Sequence, residues 1–168
     1  LDWLTRPTMV GKTVGKYRVL ERIGRGGMGI VYKAVDETLD RDVAIKVLND
    51  KFSGDESNLS RFVREAKAAS ALNHPNILVI HEVGEADGAH YIVSEYVEGE
   101  TLRTVCKEKP LQLPEVLDVS IQIAGALAIA HKAHLIHRDI KPENIMLRPD
   151  GYVKILDFGL AKLIDQNK

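Results

Sequence analysis

Three short β-rich runs, joined by connections of only six or seven residues, constrain this sequence more than any other feature. The runs occupy 17–23, 30–35 and 43–48 of the 168 residues. A parallel pair of strands needs a crossover of a dozen or more residues, which these connections cannot hold. The sequence therefore predicts an antiparallel meander over 17–48.

The apolar periodicity changes after the meander. From Asn58 onward, apolar residues recur three and four positions apart, as on one face of a helix, and Pro75 ends that pattern. The centre of a later helix, at 114–133, is almost entirely apolar, so we expect it to be buried on most sides. The other patterns predict strands at 77–83, 90–97, 145–147 and 153–156, a short helix at 101–107 and a polar loop at 137–144.

These elements together predict an α+β fold. Residues 1–16 have no periodic apolar pattern and are predicted to be an N-terminal tail. Residues 17–98 are predicted to form a small antiparallel β lobe with one helix. Residues 99–168 are predicted to form the first part of a helical lobe, with the boundary near Glu98 and Gly99.

Composition excludes several classes of protein. The chain has 23 Lys and Arg against 24 Asp and Glu, so it lacks the basic surplus of a nucleic-acid-binding protein. Its longest uncharged apolar stretch, 119–130, is shorter than the roughly 18 residues that a membrane span needs, and charges at Asp2 and Arg6 disfavour a signal peptide. A single cysteine, Cys106, cannot form an internal disulfide, which suits a reducing compartment. We therefore expect no nucleic-acid partner and no membrane span in this chain.

A glycine-rich stretch is the first motif with chemical meaning. Gly24 to Gly29 match G-x-G-x-x-G, and glycine lets the backbone N–H groups approach a phosphate closely. A dinucleotide-binding site needs a helix directly after the glycines, whereas the β-branched run at 30–35 favours a hairpin. A plain turn remains the alternative for this motif alone. A phosphate-binding loop ending at Gly11-Lys12-Thr13 is excluded, because it requires a glycine where Arg6 stands.

Lys46 closes the apolar run Val43-Ala44-Ile45. A lysine in such a strand either faces water at an edge or is paired, because burying an uncompensated ammonium group is costly. Glu65, at the edge of the apolar face of the following helix, is the predicted partner. This pair would hold the ammonium group where it can meet phosphate oxygens.

A polar loop contains the densest group of reactive side chains. Within 137–144, Asp139 can orient a hydroxyl group and accept its proton, and Lys141 can neutralise phosphate charge. Asn144 offers an oxygen ligand to magnesium, and Asp157, directly after a predicted strand, offers a second one. Three histidines at 131, 134 and 137 have helical spacing, but no carboxylate or cysteine pattern supports a zinc site there.

Taken in order, these motifs resemble those of the eukaryotic-type protein kinase family. The resemblance covers Tyr17 to the C-terminus: a glycine loop, V-A-I-K, a helix glutamate, H-R-D-x-K-P-E-N and D-F-G. Lys141, two residues after Asp139, is similar to the serine/threonine branch of the family. The run GRGGMGIVYKA and the stretch at 64–77 are similar to bacterial serine/threonine kinases.

The resemblance implies ATP and Mg²⁺ as cofactors and a role for each matching residue. Asp139 and Lys141 would act on the transferring phosphoryl group, with Lys46 held by Glu65 against the α- and β-phosphates. Asn144 and Asp157 would hold Mg²⁺, and Ser94 would guard the back pocket. Ala69, Ile80, His137 and Phe158 match the regulatory hydrophobic stack. The implied ATP-binding positions are Ile23, Gly24, Gly26, Gly29, Val31, Ala44, Lys46, Glu95, Val97 and Met146.

The sequence departs from the family pattern at its end. It stops nine residues after Gly159, within the activation segment that Arg138 implies is controlled by phosphorylation. We expect this chain to fold its small lobe, to expose a broad apolar face of the helix at 114–133, and to transfer phosphate poorly. The implied function is phosphorylation of serine or threonine in protein substrates. A truncated module that binds nucleotide or a partner is the alternative, and a small-molecule kinase is a weaker one.

The resemblance also suggests the setting of a longer parent protein. The kinase domain is expected in the cytoplasm, either free or on a membrane-anchored parent, and the parent is expected to form a homodimer.

Overall fold

The computed structural model describes residues 9–27, 29–49 and 56–157, with the side chains of Glu56 and Asn58 left out. These residues form two compact units. The first unit comprises the described residues within Leu1–Val63 and Ile80–Tyr96, and the second those within Arg64–Val79 and Val97–Lys168. Helix α1, Glu56–Ser70, is divided between them.

An antiparallel sheet of six strands makes up most of the first unit. Its spatial order is β1-β2-β3-β4-β6-β5, and β2, β3 and β4 form the predicted meander. This sheet is the antiparallel β part of the predicted α+β fold. The strands are β1 Thr13–Val14, β2 Tyr17–Gly26, β3 Gly29–Asp36, β4 Arg41–Leu48, β5 Ile80–Ala86 and β6 Ala89–Glu95.

Several strand boundaries differ from the sequence prediction, and pairing with other residues explains three of the differences. Strand β2 continues through the glycines to Gly26, because their backbones still pair with β3. Residues Thr13–Val14, predicted as tail, pair with the start of β2. Strand β5 begins at Ile80 rather than at Ile77, because Ile77 instead forms an isolated parallel bridge with Ile155.

Alternation along the strands gives the sheet one mainly apolar face. Tyr32 and Ala34 on β3 point to the same side as Val43 and Ile45 on β4, as expected for a period of two. This face forms the core of the first unit. The core also includes Val14, Tyr17, Val19, Val47, Ala89, Tyr91 and Val93.

Short strands and two further helices make up the described part of the second unit. Thr101 caps helix α2 by accepting a hydrogen bond from the Thr104 N–H at 3.2 Å. The Glu115 carboxylate accepts the Gln112 N–H at 2.6 Å at the start of helix α3. The elements are β7 Glu100–Thr101, α2 Leu102–Glu108, α3 Leu113–Lys132, a 3₁₀ turn Pro142–Asn144, β8 Ile145–Leu147 and β9 Val153–Ile155, with sheet order β7-β8-β9.

The packing of α3 corrects one prediction and confirms another. Burial of its centre on most sides is wrong: among its described residues only Val119, Ala126 and Ala130 are buried, and Ile121 is 70% exposed. A single face packs on the unit, so the opposite apolar face, which includes Leu117, is exposed as predicted.

Helix α3 is also long and apolar enough, by length and composition alone, to cross a membrane. The core helix of a soluble protein passes the same test. Gln122, halfway along it, forms hydrogen bonds to Asn76 and Val153 within the same unit. The absence of a membrane span from this chain stays a prediction.

Candidate active site

The glycine motif forms the end of a β-hairpin. Gly24 pairs with Val31 and Gly26 pairs with Gly29, so a strand rather than a helix follows the glycines. The Asn49 side chain anchors this end by donating from Nδ2 to the Gly27 carbonyl oxygen at 2.7 Å. This geometry matches the predicted hairpin and excludes the dinucleotide-binding alternative. Met28, within the motif, lies outside the described residues.

The three glycines of the motif differ in how much space a side chain would have. A Cβ at Gly29 would overlap the Val47 carbonyl oxygen and lie 2.9 Å from the Val47 carbonyl carbon. Packing against β4 therefore requires glycine at 29. A Cβ at Gly24 would meet only Val31, at 3.7 Å, and one at Gly26 would meet no heavy atom of the described residues within 4 Å. Packing among the described residues therefore does not require glycine at 24 or 26.

Strand register places four predicted side chains on one face of the sheet. Val31 is opposite Lys46, and Ala44 is opposite Ser94. Directly opposite residues of antiparallel strands share a face, and this face is the one turned away from the apolar core described above. Glu95 lies at the end of β6, opposite Val43.

Three further predicted ATP-binding residues lie elsewhere in the chain. Ile23 is on β2 beside a register shift and is 42% exposed. Val97 follows β6 and belongs to the second unit. Met146 is on β8 in the second unit and is partly buried. Their contacts with a nucleotide stay predictions.

His137 ties the polar loop to the end of β9. Its ring is 1% exposed, with Nδ1 accepting the Asp139 N–H at 3.2 Å and Nε2 lying 2.7 Å from the Leu156 carbonyl oxygen. A ring that accepts at Nδ1 and donates at Nε2 is neutral. Burial lowers the pKa of His137, and this outweighs the opposing hydrogen bond to Leu156. His137 therefore acts as an uncharged brace between the loop and the residue before Asp157.

Three of the predicted site residues, Asp139, Lys141 and Asn144, meet at one point of the loop. Lys141 Nζ lies 2.6 Å from Asp139 Oδ2, and Asn144 Nδ2 donates to the same carboxylate oxygen at 2.9 Å. Asn144 Nδ2 also donates to the Asp139 carbonyl oxygen at 2.9 Å. The Asn144 backbone is held on both sides, by Lys141 O and by the Leu156 N–H, each at 2.9 Å. The structure thus brings Asp139, Lys141 and Asn144 together as the sequence predicted.

Charge in this cluster keeps both ionisable groups charged at neutral pH. Burial raises the pKa of Asp139, but the hydrogen bonds from Lys141 and Asn144 outweigh it and leave that pKa below its ordinary value. The hydrogen bond to Asp139 raises the pKa of Lys141 despite some desolvation. A carboxylate of lowered pKa is a weak base, so before any reaction it accepts a hydrogen bond from a donor rather than the donor's proton.

Backbone strain marks the same region. Arg138 has φ +68° and Asp157 has φ +53°, both in the left-handed region that residues with a Cβ rarely adopt. Such conformations cluster at functional sites, where the surrounding structure enforces them. No sequence pattern indicates these two angles, and sequence reasoning missed them.

An unpredicted ion pair joins the loop to α1. Arg138 NH1 lies 3.6 Å from Glu65 Oε1, and the Glu65 side chain is mostly buried. The predicted pair between Lys46 and Glu65 stays a prediction. In the proposed regulatory stack, Ala69 and His137 are buried, Ile80 is partly buried, and Phe158 lies outside the described residues.

Comparison with known families agrees with the site. A family model described as protein kinase domain matches residues 17–168. The chain belongs to the protein kinase family.

Curated relatives place it near bacterial serine/threonine kinases. The chain is 47% identical over 155 residues to the serine/threonine-protein kinase PrkC of Bacillus subtilis, covering 91% of this chain and 24% of that protein. It is 45% identical over 161 residues to a probable serine/threonine-protein kinase of Clostridium perfringens, covering 95% and 24%. For PknA of Mycobacterium tuberculosis the identity is 47% over 163 residues, covering 93% and 38%. The chain thus spans about a quarter to two fifths of the length of these relatives.

Solved structures confirm the protein-kinase-like fold. The Mycobacterium tuberculosis PknI kinase domain superposes with a TM-score of 0.77 at 35% identity, covering 90% of this chain and 62% of that one. The apo form of PpkA-294 gives a TM-score of 0.81 at 26% identity, covering 98% and 66%.

Proposed function

We propose that this chain supplies the ATP-binding and catalytic-loop part of a serine/threonine protein kinase. The observation that carries the proposal is the cluster of Asp139, Lys141 and Asn144, with its 2.6 Å ion pair, in a chain of the protein kinase family. The named serine/threonine kinases among its relatives support the choice of acceptor. The reaction is transfer of the ATP γ-phosphoryl group to a serine or threonine hydroxyl of a protein.

The residues of the first unit fit a nucleotide. Gly24 and Gly26 lack a Cβ where the described fold would admit one, which suits backbone N–H groups that approach phosphates. Val31 and Ala44 present small apolar surfaces on the same face as Lys46, whose ammonium group is proposed to contact the α- and β-phosphates. Adenine is proposed to bind the backbone at Glu95 and Val97.

The donors of the second unit fit Mg²⁺. Asn144 Nδ2 is engaged with Asp139, so the amide oxygen Oδ1 is the atom that this side chain can offer to a cation. Asp157 adds a carboxylate, and such oxygen ligands suit this hard cation. When bound, Mg²⁺ would neutralise phosphate charge. Asn144 and Asp157 are the residues proposed to hold it.

Asp139 and Lys141 are proposed to act on different reactants, the substrate hydroxyl and the transferring phosphoryl group. Because its pKa is lowered, Asp139 is ionised at neutral pH and accepts a hydrogen bond from the substrate hydroxyl, which orients the attacking oxygen. It takes the proton as phosphoryl transfer proceeds. Lys141, held in its charged form by the same carboxylate, stabilises the negative charge on the transferring group.

A nucleotide-binding module without phosphotransfer is the second candidate. It is the outcome in which the ATP-binding residues bind nucleotide but the cluster of Asp139, Lys141 and Asn144 does not transfer phosphate. For the whole protein, we propose a protein substrate, a cytoplasmic kinase domain and self-association.

A phosphotransfer assay separates the two candidates. Purified chain is incubated with radiolabelled Mg-ATP and a mixture of serine- and threonine-containing peptides, beside Asp139→Asn. Label transfer that is lost in Asp139→Asn supports the kinase. Mg-ATP binding without transfer supports the nucleotide-binding module, and absence of both contradicts the proposal.

A further inference from the structure

The last strand before Asp157 is held in an unusual way along one edge. Strand β9 pairs with β8 on one side. On its other side, the Ile155 N–H donates to the Asn76 carbonyl oxygen at 2.8 Å, and the Leu78 N–H donates to the Ile155 carbonyl oxygen at 3.1 Å. This short parallel ladder involves backbone atoms only.

At Val153, two residues before Ile155, the backbone of 76–77 is bonded elsewhere and cannot continue this ladder. Val153 faces the same edge as Ile155, because strands have a period of two. The Asn76 N–H, however, donates to His74 Nδ1 at 3.2 Å, and the Ile77 N–H closes a turn onto the His74 carbonyl oxygen at 3.0 Å. Val153 is fully buried, so its own backbone groups need other partners.

Two side-chain amides supply those partners. Gln122 Oε1 accepts the Val153 N–H at 2.9 Å, and Asn76 Nδ2 donates to the Val153 carbonyl oxygen at 2.8 Å. Asn76 Nδ2 also donates to Gln122 Oε1 at 2.7 Å, which joins the two amides. Together they imitate a neighbouring strand at this one residue.

The orientation of Gln122 is itself enforced. Its Nε2 donates to Asp118 Oδ2 at 2.8 Å and to the Gly151 carbonyl oxygen at 3.0 Å. With two bonds accepted at Oε1, all four hydrogen-bonding positions of this amide are used. Such a complete network specifies one arrangement, whereas a partly satisfied one is costly.

We propose that Asn76 and Gln122 form a clamp on Val153 that fixes β9 and thereby places Asp157 for Mg²⁺. They are positioning residues, and this inference rests on the proposed function. The path from the clamp to the site is short. Leu156, between β9 and Asp157, donates its N–H to Asn144 O and lies with its carbonyl oxygen 2.7 Å from His137 Nε2. A shift of β9 therefore disturbs Asp157 and the support of Asn144 together.

The test measures nucleotide binding by the 168-residue chain across a Mg²⁺ titration. Gln122→Met keeps the length of the side chain and removes its hydrogen bonds. We expect it to need about ten-fold more Mg²⁺ for half-maximal ATP binding, since losing a buried hydrogen bond shifts an equilibrium by about that factor. ATP binding without Mg²⁺ should not change. Ser120→Ala is the matched control, because within the described residues its hydroxyl donates to Val116 O on the same helix.

A second test changes the contact between Gln122 and Asp118 in two steps. Gln122→Glu alone keeps an acceptor for Val153 but places a second carboxylate against Asp118, so the Mg²⁺ requirement should rise. Combined with Asp118→Asn, which restores a donor to that contact, the Mg²⁺ requirement should fall below that of Gln122→Glu alone, without full recovery because the bond to the Gly151 carbonyl oxygen stays lost. Comparing the single and double variants tests the clamp even if Gln122→Met does not fold.

Unchanged Mg²⁺ dependence in a folded Gln122→Met protein that merely melts at lower temperature overturns the clamp. A Mg²⁺ requirement of the double variant that is no lower than that of Gln122→Glu alone overturns it as well. If the wild-type chain shows no Mg²⁺-dependent ATP binding, the proposed function fails instead. The clamp is then judged by amide hydrogen exchange at Leu156. Exchange about ten-fold faster in Gln122→Met than in Ser120→Ala supports it, and equal rates contradict it.

Discussion

Gly29→Ala tests the claim that the glycines of the hairpin serve two different purposes. A Cβ at this position would overlap the Val47 carbonyl oxygen and lie 2.9 Å from the Val47 carbonyl carbon and 3.1 Å from Leu48 Cα. All three atoms belong to the backbone of β4. They cannot rotate away as the end of a side chain could, so β3 and β4 must move apart.

The magnitude follows from the cost of overpacking. Extra methyl groups in a packed region cost about 1–3 kcal/mol, and a backbone obstacle places Gly29→Ala at about 3 kcal/mol. In a domain of this size each kcal/mol lowers Tm by about 2–4 °C, so the expected fall is about 6–12 °C.

Gly26→Ala is the matched control. No heavy atom of the described residues lies within 4 Å of a Cβ at this position. Its Tm should stay within about 2 °C of wild type, since surface substitutions usually change stability by less than about 0.5 kcal/mol. Its affinity for ATP should nevertheless fall, because the methyl group occupies the proposed phosphate approach.

Thermal unfolding followed by circular dichroism, with ATP affinity measured on the same samples, provides the assay. Equal Tm values for Gly29→Ala and Gly26→Ala, or a Gly26→Ala protein that loses stability and keeps its ATP affinity, would refute this reasoning.

Three further predictions concern other parts of the molecule. Asp36 is buried, which raises its pKa, but hydrogen bonds from the Leu39 and Thr38 N–H groups and the nearby Lys16 outweigh this and lower it. Its stabilising effect is therefore present above the ordinary pKa of about 3.9 and is lost as pH falls through the lower folded-state pKa. The free energy of unfolding, measured in urea, should therefore depend less on pH in Asp36→Asn than in wild type at acid pH. Identical dependence on pH would contradict this. Ile121→Gln should reduce self-association in sedimentation velocity while changing stability by less than about 0.5 kcal/mol, since Ile121 is 70% exposed; a large loss of stability would show that this face is packed. Asp139→Asn should lower phosphotransfer about 10²- to 10⁴-fold with Mg-ATP affinity unchanged, and a parallel loss of affinity would argue against its role as base.

Local patterns predicted the parts of the fold that depend on neighbours in sequence. The meander follows from alternation and short connections, and strand β8 at Ile145–Leu147 was predicted with its observed bounds. The helix with Phe62 and Ala66 on its buried face was predicted, although it begins at Glu56 rather than at Asn58. Motif order predicted the family, and the cluster around Asp139 agrees with that prediction.

Features that depend on distant partners were not predictable. The late start of β5 results from the bridge between Ile77 and Ile155, which lie far apart in sequence. The left-handed angles at Arg138 and Asp157 have no local sequence signal, since neither residue is a glycine. An isolated glutamine such as Gln122 in an apolar helix has no sequence signal that identifies its four partners.

The burial of α3 was overestimated for a different reason. An apolar composition predicts that a helix avoids water, but it does not say which surface covers it. In the second unit one face of α3 is packed and Ile121 is exposed, so composition overestimated its burial.

Thermal unfolding of the chain with and without Mg-ATP tests the central claim most directly, with Lys46→Met and Asp157→Asn beside the wild type. A ligand at 100 times its Kd stabilises the native state by about 2.7 kcal/mol. A Mg²⁺-dependent rise in Tm that both variants lose is the predicted result. No rise in the wild type, or a rise that both variants keep, would contradict a kinase nucleotide site in this chain.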